Sequence, residues 1–375
     1  MIYLDNAATT KPSETALEKA SKYNYEKFFN PSALYLGGIE VNKDLNVTRE
    51  KILNFIGAES RDYQVIFTSC GSESDNMAIF CAKKRGLFVT DKGEHSAVHK
   101  SFMELKQRGL EVFFINLNKD GSVNTQELFD FVKNNNVDFV SIMHVNNETG
   151  AINDVNYIAD TIKSINKNVI FHCDGVQAYG KIPFSISKNI DLYSISAHKI
   201  NALKGVGALI KKKSLNISPL IFGGGQEMGL RSGTENLFGI KVFEFASEEH
   251  YSCLKQNFEY VTTLKDYVIN NLNKDIFTVI SGEKSSPYVL SVSAVGLKGE
   301  VLMHTLETYG IVVGNGSACS SKNRFSRIIE ACGYKKDVLD GVLRISFSPE
   351  TKLNDVKFVV DCLNIEAKKL KGIMN

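Results

Sequence analysis

Several side chains in this sequence sit just past short apolar runs and are of types that do carbonyl–amine chemistry. Lys199 follows LYSIS (192–196) in the segment SISAHK. A buried lysine is costly unless it is paired or neutralised, yet its deprotonated amine is the right nucleophile for an imine with an aldehyde. Asp174 ends VIFHCD (169–174), where a carboxylate could keep a pyridine nitrogen protonated. QVIFT (64–68) runs into Ser69-Cys70-Gly71-Ser72, a small-residue turn opening a helix, whose N–H groups and dipole would hold a phosphate. His95, after LFVT (87–90), offers an imidazole able to stack on a ring. Taken singly, these residues read as a helix cap, an ordinary N-cap, a loop histidine and a surface charge. Their coincidence at successive strand ends describes a pyridoxal phosphate site.

The elements that must position these groups alternate. QVIFT, LFVT, EVFFI (111–115), FVSIMH (139–144), VIFHCD, LYSIS and VGALI (206–210) are short apolar runs that suit buried strands. Helical stretches such as 72–85 and 156–165 lie between them, which predicts an α/β fold with a largely parallel sheet. After about residue 237 the order changes to α+β. One long helix is expected over 240–272, then strands at 277–280 and 289–295, a helix at 300–309, a strand at 342–347 and a helix at 354–370. A boundary near 250 follows. It gives a large cofactor-binding domain over 13–250 and a small domain from 1–12 with 251–375.

Composition narrows the function class. In 375 residues, hydrophobic residues make up 43% and charged residues 23%, a globular balance with room for a large and a smaller domain. The net charge of +2 gives no general reason to bind nucleic acid or a membrane surface. Lys211-Lys212-Lys213 is more simply a solvated turn. Apolar runs such as MAIFCA (77–82) are far too short to cross a bilayer, and MIYLDNAATTKP carries no signal pattern, so a cytoplasmic protein is expected. Seven scattered cysteines without CxxC spacing fit neither a disulfide scaffold nor a metal knuckle.

The motifs resemble those of the cysteine desulfurases (NifS/IscS-like), fold type I pyridoxal phosphate enzymes of the class V aminotransferase superfamily. The resemblance runs through YLDNAATT (3–10), NPSALY (30–35), FTSCGSESDN (67–76), EHSAV (94–98), NNETG (146–150) and CDGVQAYGK (173–181). It continues through SISAHK (194–199), GGGQEMGLRSGTEN (223–236), NGSACSS (315–321) and LRISFS (343–348). The pairing of SISAHK with GSACSS is specific, whereas Gly223–Gly225 alone would mean little.

The resemblance implies that Lys199 carries the cofactor, Asp174 pairs with its pyridine nitrogen, and His95 stacks on its ring and assists proton transfer. It places Asn147 and Gln177 near the phenolic oxygen, and Gly71, Ser72, Ser196 and His198 at the phosphate. Thr234 would reach the partner subunit's phosphate, which implies a homodimer. Arg344 would clamp the substrate carboxylate, a role that suits a planar guanidinium; a surface ion pair is its bland alternative. Cys319, in a run of small residues, would accept sulfur from L-cysteine, leaving alanine and a persulfide. That sulfur would pass to a protein acceptor serving iron–sulfur clusters, tRNA thiolation or thiamine. A selenocysteine lyase, an aminotransferase and a non-catalytic dimeric scaffold are the alternatives. Two departures from the family pattern stand beside the site. Cys70 replaces a usual Gly, and Ala202-Leu203 replaces a usual Gly-Pro, which predicts a looser turn after Lys199.

Overall fold

The computed structural model of the chain describes residues 1–315 and 325–374. A short N-terminal strand, β1 (Ile2–Leu4), stands apart from the main sheet. The seven apolar runs become β2 (Tyr63–Thr68), β3 (Leu87–Asp91), β4 (Glu111–Ile115), β5 (Val137–Ser141), β6 (Ile170–Asp174), β7 (Leu192–Ser196) and β8 (Gly207–Lys212). They form one sheet in the order β2-β8-β7-β6-β5-β3-β4. Only β8 runs against its neighbours β2 and β7, and the other pairings are parallel. This is the expected α/β architecture. Helices cover the sheet, so its strands are buried on both faces and read as near-continuous apolar runs. Every residue of β7 is buried.

Because the strands are parallel, the carboxyl ends of β2, β3, β5, β6 and β7 share one edge, where open α/β sheets bind ligands. The turn after β2 is brought close to that edge by Gly207 at the start of β8. A Cβ on Gly207 would lie 2.6 Å from the Cys70 carbonyl carbon and 2.8 Å from its oxygen. That backbone cannot swing aside as a side-chain tip could, so the close approach requires glycine.

A second set of strands follows. Strands β9 (Phe277–Val279), β10 (Val289–Ala294) and β12 (Val342–Ser346) pair antiparallel in the order β12-β10-β9. Strand β11 (Ile311–Val313) pairs in parallel with β1, a pairing across the length of the chain that the apolar pattern did not suggest. Their core holds Leu4, Val261, Leu264, Leu290, Leu343 and Val356, and it is separate from the large-sheet core.

The single long helix expected over 240–272 is not what forms. It is two helices, Leu237–Ser252 and Leu254–Asn271, with Cys253 at φ −124° and ψ 18° between them. The physical reason is a change of partner. Leu237, Ile240, Phe243 and Ala246 pack into the large core, while Val261, Leu264 and Val268 pack into the second. A straight helix would have to keep one apolar stripe facing two cores.

The Gly207 contact yields a stability test. Gly207→Ala is expected to lower stability in urea by about 1–3 kcal/mol, the usual range for overpacking a tight site. Unchanged stability would mean that the Cys70 turn is not held there.

Candidate active site

A cavity of about 300 Å³ opens at the shared strand edge. Lys199 enters it from a one-turn 3₁₀ helix, Ala197–Lys199, that directly follows β7. Its Nζ donates to the carbonyls of Ala7 (2.6 Å) and Ala8 (2.8 Å), so the amine is held by the N-terminal segment. The turn behind it is pinned. Asn201 takes the left-handed φ of 59°, its N–H donates to Thr10 Oγ1 (2.7 Å) and its amide to the Lys11 carbonyl (2.8 Å). The Asn201 carbonyl accepts from Ser13 N–H at 2.7 Å. The Ala202-Leu203 departure therefore does not leave the turn loose. Ala202 is buried and Leu203 packs on the large core.

Asp174 is the last residue of β6, and its Oδ1 accepts from Val176 N–H at 2.9 Å. Burial raises its carboxyl to about 6, against the pull of that N–H and of Lys199. His95 caps the helix Ser96–Gln107, its Nδ1 accepting from Ala97 N–H at 3.2 Å, which leaves the ring proton on Nε2. Burial, then the charges of Lys199, Arg327 and Arg344, push the His95 ring down to about 4. It is neutral at physiological pH.

Gln177 is wedged. Its Nε2 donates to the Ala7 carbonyl (2.9 Å) and its Oε1 accepts from Lys181 Nζ (2.9 Å). Lys181 is itself buried, and desolvation, then Lys199 and Arg344, push its amine down to about 7. Across the cavity, Gly71 opens the helix Gly71–Ala82 and Ser72 is exposed at its first turn. Cys70 precedes them at φ −173°, an extended backbone that any residue adopts, so its replacement of glycine adds no backbone strain. His198 shares a hydrogen bond with Thr9 Oγ1 at 3.1 Å.

Two buried oxygens facing the site, Ser196 Oγ and Asn147 Oδ1, have no hydrogen-bond partner among the described residues. Such orphans are costly and call for a ligand with polar atoms of its own. A phosphate beside Ser196 and the Gly71 turn would accept from the Ser196 hydroxyl, and a ring hydroxyl near Asn147 would donate to its Oδ1. The residues present fit pyridoxal phosphate.

Arg344, on β12, reaches the cavity from the second sheet. It donates to the Asn147 carbonyl (2.9 Å) and to Asp5 Oδ1 (2.8 Å), and its Nε has no acceptor among the described residues. At 8% exposure it is not a surface ion pair. The cavity thus gathers Lys199, Asp174, His95, Gln177, Asn147 and Arg344 with the phosphate-turn residues Gly71, Ser72, Ser196 and His198. Thr234 is exposed and does not line it. Cys319 lies outside the described residues.

Sequence reasoning missed Asp5, Asp75, Lys181 and the carbonyls of Ala7 and Ala8. Asp75 stood in the phosphate-turn segment, but an acid near a helix N-terminus is ordinary, so its type and place carried no signal. Backbone carbonyls carry none.

Comparison with known proteins agrees with this architecture. The model of the family "Aminotransferase class-V" matches residues 2–359. A protein named cysteine desulfurase IscS from Dictyoglomus turgidum is 35% identical, over 99% of this chain and 96% of its own. A solved structure described as a NifS-like protein superposes with a TM-score of 0.91 at 32% identity, covering 98% of this chain and all of the other. Another, described as SspA in complex with cysteine, gives a TM-score of 0.81 at 26% identity over 94% of this chain and all of its own. The chain belongs to the aminotransferase class-V family, in its NifS/IscS-like branch.

Proposed function

We propose that this protein is a pyridoxal phosphate-dependent cysteine desulfurase that converts L-cysteine to L-alanine and leaves a persulfide on Cys319. One observation carries the reading. The Lys199 amine, the Asp174 carboxylate and the Arg344 guanidinium, drawn from the turn after β7, from β6 and from β12, converge on a single cavity with two orphaned buried oxygens. The relatives' names and the cysteine held by a structural neighbour support the substrate.

In this reading Lys199 carries the cofactor and Asp174 meets its pyridine nitrogen. Gly71, Ser72, Ser196 and His198 would hold the phosphate, Asn147 and Gln177 would meet the phenolic oxygen, and neutral His95 would stack on the ring. Bound there, the cofactor supplies an electron sink that acidifies the substrate Cα–H. Arg344 binds the substrate carboxylate, its unsatisfied Nε being free to join a bidentate contact. Lys199 takes the Cα proton. The Cys319 thiolate attacks the substrate sulfur. An S–S bond forms, the substrate C–S bond breaks, and its electron pair stays with carbon. Protonation at Cβ completes alanine.

The same proposal takes 13–250 as the cofactor-holding domain and 1–12 with 251–375 as the domain that brings Arg344 and Cys319. The two separate cores support that division. It also takes the enzyme to be a cytoplasmic homodimer. Thr234 is exposed, Ser72 is exposed at the cavity, and Phe28, Leu34, Leu36 and Phe222 are large apolar side chains more than half exposed. Such surface is costly unless another chain covers it. The described cysteines are free thiols, which suits a reducing compartment. Among the described residues no helix is long and apolar enough to cross a membrane. The persulfide would pass to a protein acceptor for iron–sulfur cluster assembly or tRNA thiolation, or one supplying thiamine synthesis.

Cys319→Ser tests the division of labour. Its hydroxyl is a poor nucleophile toward sulfur at neutral pH. The variant should keep the cofactor's absorbance and shift it on adding cysteine, yet release almost no alanine. A fall of less than about tenfold, roughly 1.4 kcal/mol of barrier, is too small for loss of the only nucleophile. Assembly is tested separately. Sedimentation at low micromolar concentration should show a cofactor-loaded particle of two chains, and an active loaded monomer would contradict the role given to Thr234.

A further inference from the structure

The helix that begins at the phosphate turn carries a buried acid that the reaction above does not use. Asp75, in the second turn of Gly71–Ala82, is 1% exposed, and its Oδ1 has no hydrogen-bond partner among the described residues. One Asp75 oxygen, one Asp174 oxygen and one His95 ring nitrogen all lie within 4.8 Å of one another. Two carboxyls this close in a dry site cannot both be ionised at ordinary cost, so the pair holds a single charge.

The surroundings decide which member holds it. Asp174 receives the Val176 N–H and feels the Lys199 charge. Asp75 has neither. From β7 the Ser194 hydroxyl lies near it and pulls its carboxyl down against the stronger effect of burial. From β6 it meets His172, whose Nε2 is 3.6 Å away. Burial pushes the His172 ring down to about 3, so it brings no positive charge. That ring is already held between Ser141 Oγ (2.8 Å) and Ser194 Oγ (3.0 Å). Buried Glu94, after β3, sees Asp75 as another acid. Burial first, then Asp174, drive the Asp75 carboxyl well above its usual range.

We propose that Asp75 is a positioning residue, the neutral and hydrogen-bond-donating half of a carboxyl pair whose only charge is fixed on Asp174. A neutral carboxyl keeps one O–H donor. Given to Asp174, it orients that carboxylate toward the cavity and tempers its basicity without adding a second negative charge. A nearby group that is silent in the chemistry thereby sets how firmly Asp174 holds a cation opposite it. The inference rests on the function proposed above for its consequence, but not for the protonation state itself.

Two measurements on the protein as purified separate those parts. At pH 7.5, Asp75→Asn should lose an infrared band of a protonated carboxyl that the wild type shows. That comparison stands even if the wild type proves to bind no pyridoxal phosphate, an outcome that would instead defeat the proposed function. In cofactor retention after dialysis, Asp75→Asn, which keeps a donor and no charge, should stay within threefold of wild type. Asp75→Ala, which removes the donor, should lose at least tenfold. No lost band, equal losses in both variants, or no loss in Asp75→Ala would each overturn the proposal. If Asp75→Ala does not fold, a loss beyond threefold in Asp75→Asn, or an unchanged band, still does.

Discussion

The cavity depends on a strap. Residues 5–13 cross from the second sheet to the first and are stitched to both. Strand β1 pairs with β11, and Asp5 is held by Arg344 at 2.8 Å. The carbonyls of Ala7 and Ala8 receive the Lys199 amine, and Ala7 also receives the Gln177 amide. Thr9 meets His198, Thr10 donates its hydroxyl to the His198 carbonyl at 2.9 Å, and Lys11 and Ser13 tie down Asn201. Each buried backbone group so satisfied would otherwise be an orphan, so displacing the strap costs several such penalties at once. Lys199, His198 beside it and Arg344 are positioned by one short segment.

Around the strap, burial keeps the histidines uncharged. Burial lowers His95, His198 and His250 to about 4 and His144 and His172 to about 3, so these rings are neutral when folded. Unfolding lets them take protons near 6.5, so their contribution to stability is lost as pH falls from there toward 4. Asp174 at about 6 and Asp91 at about 7 act in the opposite sense. They hold protons in the folded state that the unfolded chain releases, so their contribution is lost as pH rises through the same window. The two sets offset each other between about pH 4 and 6, and the neutral histidines add no charge to the buried polarity around the cavity.

Much of this was legible in the sequence because parallel strands leave a strong trace. An apolar run that must be buried on both faces stands out, and a polar residue ending it is conspicuous. Asp174 and Lys199 were visible for that reason, and the motif resemblance added Arg344 and Asn147. The break at Cys253 was not legible, since nothing in the apolar spacing of 240–272 announces that its two halves serve different cores. The strap was hidden for a different reason. Its bonds run through backbone carbonyls at Ala7 and Ala8, where side-chain identity says nothing about acceptors. Asp75 was printed beside the phosphate turn, but its meaning comes from Asp174, 99 positions away in sequence and within 4.8 Å in space.

The proposed function requires Lys199 to be the amine that the strap and β7 place for the cofactor. Lys181 is a genuine competitor, because it is buried close by with its amine pushed down to about 7, and exposed Lys204 lies five residues on. Borohydride reduction of the pyridoxal phosphate-loaded protein, followed by peptide mapping, distinguishes them directly. A single cofactor-labelled peptide, modified at Lys199, is the expected result. Label on Lys181 or Lys204 in its place would contradict it.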